Sequence, residues 1–466
     1  MSVLTRRDPY GDCSGRRAEL RVAGRVSCWK SFSWSVSKVY RFEGTWSQWL
    51  NRSTRCKYEG ANMPSTLSWL DTSANEQRRV RELIALYTQS ESRDELGIGQ
   101  IRDAFADGLF PGTSTIHTRA RYFLFIPWLI TQGAKARSGA KLKAWTDVQE
   151  RKLIGALKDE GIGAGQGLIG RVAGPSVRTL PSAIYWAALG RYGILTRDIQ
   201  PGMLGALAPA AGADDELGVR TTQDWHPTLP AAPAGFPASV QGGMKLLREE
   251  AVWLRERILE CAPGTMLAHL LVDDTPLDDD DTPPWVDPSC LSAHGPPASL
   301  LQHGRLFSLV MQGSALLYNL LIAERYEAAG MTTHQQPVQR YRERLSGWAE
   351  NIHADGELLR EWDRQEMWDL VSDVNPRVGL HTRDFVNGWI EIVLAGQGAT
   401  AADDKHVRSL VDLRERRQKG AQSRMVNDRL LRTWSGASGT SMLVYRWPQV
   451  RRIVTDIREG LADAGA

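Results

Sequence analysis

Cysteine is scarce in this sequence, with five residues in a chain of 466. Three of the five lie before residue 63, so the rest of the chain holds only Cys261 and Cys290. Two cysteines exclude a framework of several disulfides and a four-cysteine zinc site. Such sparse use of cysteine is typical of proteins in a reducing compartment, and the sequence therefore predicts a cytoplasmic location.

Residue patterns that bind metals or activate nucleophiles are also missing. The nine histidines are scattered, and none forms a His-x-x-x-His or His-Glu-x-x-His pair. The acidic run Asp278–Asp281 lacks the ligand spacing and the glycine of an EF-hand loop. No pattern orients Cys261 or Cys290 toward His269 or His294 as a nucleophile and its base. The sequence therefore predicts no metal site, no cofactor and no catalytic residue.

Long apolar runs are absent as well. The two most apolar stretches are Tyr122–Ile130, which is short, and Leu306–Ala323, which Gln312, Ser314 and Asn319 interrupt. A membrane-spanning helix needs about 20 consecutive, predominantly apolar residues. We therefore expect no association with a membrane.

The first 62 residues differ in composition from the rest of the chain. They carry twelve Lys or Arg against five Asp or Glu, whereas the remaining residues carry 45 against 49. Their tryptophans and cysteines follow no helical or strand period, and the segment lacks the apolar core of a targeting peptide. Back-translation of Glu59–Met63 permits a ribosome-binding sequence just before the ATG of Met63.

We therefore expect residues 1–62 to be a spurious or disordered extension and the genuine chain to start at Met63. A basic tail that binds nucleic acid is the alternative, because arginines interleaved with tryptophans suit stacking on bases.

Helical periodicity dominates the chain after Met63. Apolar residues recur at three- and four-residue spacing, and N-cap residues, Pro and Gly punctuate the segments. The pattern predicts a mainly α, multi-helical fold with at most a few short strands, including a helix-turn-helix or winged-helix-like element. Ser441–Trp447 is the best strand candidate, because Leu443, Tyr445 and Trp447 alternate with polar or short residues. The predicted helices cover residues 73–89, 96–109, 114–128, 145–158, 180–192, 240–261, 263–272, 300–326, 337–353, 356–373, 382–395, 405–433 and 448–461.

Composition divides this helical body into regions. Residues 63–198 form a predicted N-terminal helical domain, residues 199–237 an Ala-, Pro- and Gly-rich connection, and residues 238–466 a C-terminal helical domain. The C-terminal region contains an Asp- and Pro-rich loop at 273–297 and a basic segment at 405–452.

The basic segment 405–452 carries the strongest functional signal. It holds twelve Lys or Arg against three acids, although the chain after residue 62 is acidic overall. Clustered cations bind backbone phosphates, and neighbouring aromatic rings stack on bases. The alternative is a solvated helix face whose arginines pair with acids elsewhere in the fold, while the aromatic residues belong to the core. The nucleic-acid-binding residues predicted in this segment are Arg414, Arg416, Arg417, Lys419, Arg424, Arg429, Arg432, Trp434, Tyr445, Arg446 and Trp447.

Two N-terminal segments extend the predicted surface. His117, Arg119 and Arg121 precede an aromatic run and suit phosphate binding, although no Lys follows His117 at the spacing of the His-x-Lys nucleases. Leu180–Trp186 starts a helix with a proline in its first turn, close to Arg178, as a recognition helix does. Buried aromatic helices have the same pattern. We include Arg119, Arg121 and Arg178 in the predicted surface.

Eight short phrases form a recognisable set: Ser68–Asp71 (SWLD), Gly97–Asp103 (GIGQIRD), Phe110–Ser114 (FPGTS), Thr118–Phe125 (TRARYFLF), Leu180–Ser182 (LPS), Tyr185–Trp186 (YW), Ser314–Asn319 (SALLYN) and Tyr445–Trp447 (YRW). Together they resemble a bacterial protein family of unknown function. The resemblance covers nearly all of the chain from Met63 and nothing before it, in agreement with the expected start. It implies no catalytic residues, and it implies a setting among phage-defence and DNA-processing gene clusters.

Three hypotheses about function follow from these patterns. The first is a non-enzymatic, nucleic-acid-associated accessory factor whose basic surface contacts DNA or RNA. The second is a helical scaffold that binds a protein partner, such as another product of the same gene cluster, through an apolar groove near Leu300–Tyr326. The third is an unrecognised enzyme whose acids or histidines converge in a cleft. The first requires the predicted arginines to lie on one continuous face, because several phosphates must be contacted together.

Overall fold

The computed structural model describes residues 94–199, 224–278 and 281–463. Over these ranges the chain forms fifteen α-helices, and its only β-type contact there is a bridge between Leu195 and Trp225. The mainly α fold is therefore confirmed. A winged-helix element needs a β-hairpin, and the described ranges contain no strand, so that expectation is wrong for them. The predicted extension 1–62 and the predicted helix 73–89 lie outside the described residues.

The helices are, in chain order, α1 (Gly99–Leu109), α2 (Tyr122–Ala134), α3 (Gly139–Asp159), α4 (Pro181–Arg191), α5 (Arg248–Cys261), α6 (Met266–Val272), α7 (Pro288–Leu291), α8 (Pro296–Ala328), α9 (Pro337–Ala354), α10 (Gly356–Glu361), α11 (Arg364–Val374), α12 (Leu380–Leu394), α13 (Lys405–Lys419), α14 (Asp428–Leu431) and α15 (Trp447–Ala462).

Helix α2 starts later than the periodicity predicts, at Tyr122 instead of Ser114. The preceding residues form turns because the buried hydroxyl of Tyr185 accepts hydrogen bonds from the backbone N–H groups of Thr118, at 2.8 Å, and Arg119, at 3.1 Å. Backbone groups that bond to a side chain in this way no longer pair along a helix. A tertiary contact therefore sets this boundary.

Two further expectations about elements need correction. The helix predicted over residues 405–433 is divided into α13 and α14, because Gly420 has a φ of +52°, a conformation that glycine adopts readily and that ends a helix. The strand predicted at Ser441–Trp447 does not form. Tyr445 and Arg446 have φ values of +54° and +67°, and this left-handed backbone turns the chain directly into α15 instead of extending it.

Helix α8 is the core of the C-terminal region. Helices α1, α9, α12 and α13 all pack against it. Trp348 of α9 and Trp389 of α12 each donate an indole N–H, at 2.8 Å, to the carbonyls of Leu309 and Val310 on α8. The protein's own helices therefore cover much of the apolar surface near Leu300–Tyr326, and the binding of a protein partner there stays a prediction.

Length and composition alone would let α8 cross a membrane. It is the one helix among the described residues that passes this test, and 83% of its most apolar window is buried inside the protein. That degree of burial is typical of the core helix of a folded domain.

Helices from the two predicted domains pack together. Helix α1, from the first predicted domain, contacts α8 and α11 of the second. Ion pairs join the two groups, because Arg119 pairs with Asp456 of α15 and Arg121 pairs with Glu250 of α5. The described residues accordingly belong to one compact unit. The boundaries at 199–237 stay a prediction about how the chain is organised.

Candidate functional site

Arg414 points into the protein and away from solvent. Helix α13 buries Val407 and Val411 against its neighbours, and Arg414 follows on the same side, with only 7% of its surface exposed. Its guanidinium donates to the carbonyls of Leu96, at 2.6 Å, and Gly97, at 3.0 Å, and burial lowers its pKa. Arg414 therefore anchors α13 to the start of α1, and its predicted role in phosphate binding is wrong.

Glu95 forms ion pairs with two more of the predicted cations. Arg424 donates to one carboxylate oxygen of Glu95 at 2.5 Å, and the ammonium group of Lys419 lies 3.4 Å from the other. Arg424 also donates to the hydroxyl of Tyr318, at 3.3 Å. These contacts fix the turn after α13 to the start of the described chain, so the two charges are largely neutralised within the protein.

The three aromatic residues predicted to stack on bases belong to the core. Trp434, Tyr445 and Trp447 are 3%, 2% and 1% exposed. Each also donates a hydrogen bond inside the protein. The indole N–H of Trp434 donates to Asn319 at 3.2 Å, the hydroxyl of Tyr445 to the carbonyl of Gly304 at 2.6 Å, and the indole N–H of Trp447 to the carbonyl of Thr282 at 2.9 Å. A ring face enclosed in this way cannot stack on a nucleobase, so the stacking role is wrong for all three.

Three further arginines are held by acidic partners. The guanidinium of Arg119 makes a two-point contact with Asp456, through Nε at 2.9 Å and a terminal nitrogen at 2.7 Å. Arg121 is fully buried and donates to Glu250 at 2.8 Å. Arg446 donates to Asp107 at 2.6 Å and to the carbonyl of Thr113 at 2.7 Å. All three arginines join distant segments of the chain, and their charges are largely neutralised by acids within the protein; the phosphate contacts predicted for them stay a prediction.

Four of the predicted cations on α13 and α14 remain exposed: Arg416, Arg417, Arg429 and Arg432. Arg416 pairs with Asp412 one helical turn earlier, a contact that exposed side chains exchange readily with solvent. The side chains of the other three have no hydrogen-bond or ion-pair partner among the described residues. The exposed basic surface therefore contains fewer cations than the sequence predicts.

Arg178, the last predicted residue, lies on a cleft of about 830 Å³. The cleft is bounded by residues 115–118, by residues 169–179, by the start of α4 and by the first turn of α15. It brings Arg178 together with His117, from the second segment singled out in the sequence, and with Arg452, from the end of the basic segment. The other cleft residues could not be found from the sequence, because no spacing links segments that lie so far apart in the chain.

His117 forms one wall of this cleft and is held in a fixed orientation. Its ring stacks on Tyr185 with centroids 4.2 Å apart, and its Nε2 lies 3.3 Å from the carbonyl of Ile184. Burial lowers the pKa of His117 to about 4, so the ring is neutral at pH 7. Nε2 then carries the proton that the carbonyl accepts, and Nδ1 is an acceptor without a partner among the described residues.

The described residues offer no constellation for acid–base or metal chemistry at this site. They contain no group of three or more His, Cys, Asp or Glu side chains that could hold a metal ion. Glu150, a buried carboxylate whose pKa is raised to about 7 by burial, accepts hydrogen bonds from the backbone and hydroxyl of Ser182 at the start of α4, at 2.6 and 2.8 Å. That arrangement caps a helix.

Comparison with known proteins agrees with the resemblance found in the sequence. A model described as a family of unknown function (DUF6361) matches residues 64–465, which include every phrase from Ser68–Asp71 to Tyr445–Trp447. No curated protein and no solved structure matches the chain. Because the family model spans most of the sequence, the chain belongs to DUF6361, a family of unknown function.

Proposed function

We propose that this protein binds nucleic acid through the phosphate backbone, using the exposed arginines at the end of α13 and on α14. The observation that carries the proposal is that Arg417, Arg429 and Arg432 are exposed and their side chains have no protein partner among the described residues. Unpaired guanidinium groups on a surface are the donors that phosphate oxygens accept from. We propose that, together with Arg416, they form one cationic contact area.

The electrostatics around these arginines support a net positive surface. Three acids lie among them: Asp412 pairs with Arg416, Asp428 pairs with Arg325 of α8, and the buried Glu415 accepts hydrogen bonds from the hydroxyl of Ser423 and the backbone N–H of Arg424. None of these acids pairs with Arg417, Arg429 or Arg432, so these three arginines contribute uncompensated charge. Three such contacts correspond to weak binding that depends strongly on salt, as expected of an accessory factor.

The mode of binding follows from the burial of the aromatic residues. Without exposed rings in this segment, there is no platform for base stacking, and the arginines contact phosphates that are the same for every sequence. We therefore expect binding that does not discriminate between nucleotide sequences. Cytoplasmic DNA or RNA is the proposed partner.

The test is a titration of fluorescently labelled duplex DNA, single-stranded DNA and RNA with the full chain, across a salt series. For duplex DNA we expect the slope of log K against log salt to be about −3, at roughly −0.9 per phosphate contacted. The triple variant Arg417→Ala, Arg429→Ala and Arg432→Ala should lose most of this slope.

A matched control removes the same charge elsewhere. Lys152, Lys245 and Arg360 are exposed and lie far from α13 and α14 in the chain, and the triple alanine variant at these positions should keep the wild-type slope. If both variants lost the same fraction of the salt slope, net charge alone would drive binding. An unchanged slope in the α13–α14 variant would refute the proposal.

A further inference from the structure

A second cleft lies between α11 and α12. It has a volume of about 450 Å³ and is lined by the turn before α11, by the first half of α11 and by one face of α12. That volume lies within the range of small-molecule sites. The lining residues are Trp362, Asp363, Arg364, Gln365, Trp368, Asn387 and Glu391.

Two tryptophans form the apolar part of this lining. Trp362 and Trp368 are each 7% exposed. The indole N–H of Trp362 donates to Nδ1 of His303 on α8, and that of Trp368 donates to Asn387 on α12, both at 2.9 Å. Because each ring uses its one polar atom inside the protein, it offers only carbon to a ligand. The same two hydrogen bonds hold the rings in place, so the apolar part of the lining is rigid.

The polar part of the lining contains both donors and acceptors. The carbonyl oxygen of Asn387 accepts from Trp368, and its NH₂ group has no partner among the described residues. The NH₂ group of Gln365 donates within α11 at 2.8 Å, which leaves its carbonyl oxygen as an acceptor. Arg364 and Glu391 are exposed, and neither side chain has a hydrogen-bond or ion-pair partner in the described ranges. The indoles are therefore accompanied by two donor groups and two acceptor groups.

The charges of the lining do not select an ion. Asp363 and Glu391 are acidic, whereas Arg364 is basic. Asp363 caps α11, because its Oδ1 accepts from the backbone N–H groups of Gln365 and Glu366 at 2.9 and 3.0 Å. A cleft lined by both signs of charge lacks the one-sided field that concentrates an ionic ligand. The two acids disfavour an anion, and the guanidinium disfavours a cation.

A neutral, polyhydroxylated ligand fits this combination. A sugar ring presents C–H groups on its faces and hydroxyl groups around its edge. Burial of the C–H face against indole carbon is favourable. Each hydroxyl can donate and accept, and its hydrogen bonds to charged side chains are stronger than those between neutral groups. An apolar floor with donors and acceptors beside it therefore matches both parts of a sugar.

We propose that the cleft between α11 and α12 binds a neutral sugar. One face of the sugar ring packs against the two indoles. The hydroxyls at its edge bond to four side chains, of which Arg364 and Asn387 donate and Gln365 and Glu391 accept. The cleft shares no residue with the arginines of α13 and α14, so sugar binding does not depend on the proposed nucleic-acid surface.

The test is saturation-transfer NMR of the full chain with neutral and charged probes. The neutral sugars are glucose, galactose, N-acetylglucosamine and maltose, the anion is glucose 6-phosphate and the cation is choline. We expect a neutral sugar to bind at least about tenfold more tightly than either charged probe, because each charged probe meets a like charge in the lining. The C–H protons of one sugar face should receive the most saturation, because they lie against the indoles. A smaller preference, or no binding by any probe at millimolar concentration, would overturn the proposal.

Variants at exposed positions locate the binding site. Glu391→Ala and Arg364→Ala should each weaken sugar binding by roughly tenfold, as expected for the loss of a charge-assisted hydrogen bond. Asp384→Ala on α12 and Arg360→Ala on α10 are the matched controls, because these residues are exposed, carry the same charges and lie outside the lining; both should bind normally. Gln365→Trp should block the cleft without removing charge. Equal affinity in the wild type, in both lining variants and in Gln365→Trp would place the sugar elsewhere and disprove the assignment.

Discussion

The buried ion pair between Arg121 and Glu250 should be indispensable for stability. Arg121 has no exposed surface, and its guanidinium donates to Glu250 at 2.8 Å and to the carbonyls of Gln241 and Gly243 at 2.7 and 2.8 Å. Glu250 also accepts from the backbone N–H of Leu247 at 3.0 Å, which caps helix α5. The pair therefore joins α2, the loop before α5 and the first turn of α5.

The substitution Glu250→Ala leaves the guanidinium buried without its counter-charge. Removing one partner of a buried pair costs about 3–5 kcal/mol, and the loss of the cap adds about 1 kcal/mol. The entropy of unfolding is about 2.1 cal/mol/K per residue, or roughly 0.8 kcal/mol/K for a compact unit of about 400 residues. We therefore expect the midpoint of thermal unfolding to fall by about 5–7 °C at pH 7.

The assay is thermal unfolding of the full chain, followed by circular dichroism. Glu249→Ala is the matched control, because Glu249 is an exposed acid in the same helical turn and its loss should change the midpoint by about 1 °C or less. The double variant Arg121→Met and Glu250→Met should be more stable than Glu250→Ala, since it leaves no unpaired charge. Similar midpoints for Glu250→Ala and Glu249→Ala would show that Arg121 is not buried, and the reasoning would fail.

Other predictions address single sites. Burial raises the pKa of Glu150 from 4.5 to about 7, so the folded state favours the protonated acid and stability falls as pH rises between these values. The difference in free energy of unfolding between Glu150→Gln and the wild type should therefore rise by up to roughly 3 kcal/mol, in favour of the variant, between pH 4.5 and 7. A pH-independent difference in unfolding midpoint would contradict this. Gly313→Ala would place a Cβ 2.1 Å from the ring of Trp348 and should destabilise the protein by about 1–3 kcal/mol, whereas Gly347→Ala, with open space around it, should not. The Cε1 proton of His117 should titrate near pH 4 in NMR spectra, because burial opposes protonation; titration near 6.5 would place the ring in solvent.

Local patterns in the sequence predicted most helices and missed some of their ends. The periodicity of Pro337–Ala354 and Trp447–Ala462 places both helices within one or two residues of the observed bounds. It fails before Tyr122, where Tyr185 takes over the backbone hydrogen bonds of residues more than sixty positions away. A helix boundary of that kind depends on tertiary contacts that no local window contains.

The sequence predicted the fold better than it predicted which residues form the basic surface. A count of charges identifies a basic segment, but it does not reveal which arginines find acids in the folded chain. The acid that pairs with Arg119 lies 337 residues away in the sequence, and the carbonyl of Leu96 that receives Arg414 lies 318 residues away. Buried arginines of this kind have the same local sequence as exposed ones.

The sequence by itself determined the helical class, the absence of a cysteine framework and the family to which the chain belongs, because these depend on composition and on short-range periodicity. Only the tertiary structure decided which cations face solvent and which residues share a cleft. The physical reason is that burial and pairing depend on distances in space. Arg178, just before α4, and Arg452, in α15, line one cleft, whereas Arg414 and Arg417, three residues apart, face the core and the solvent, respectively.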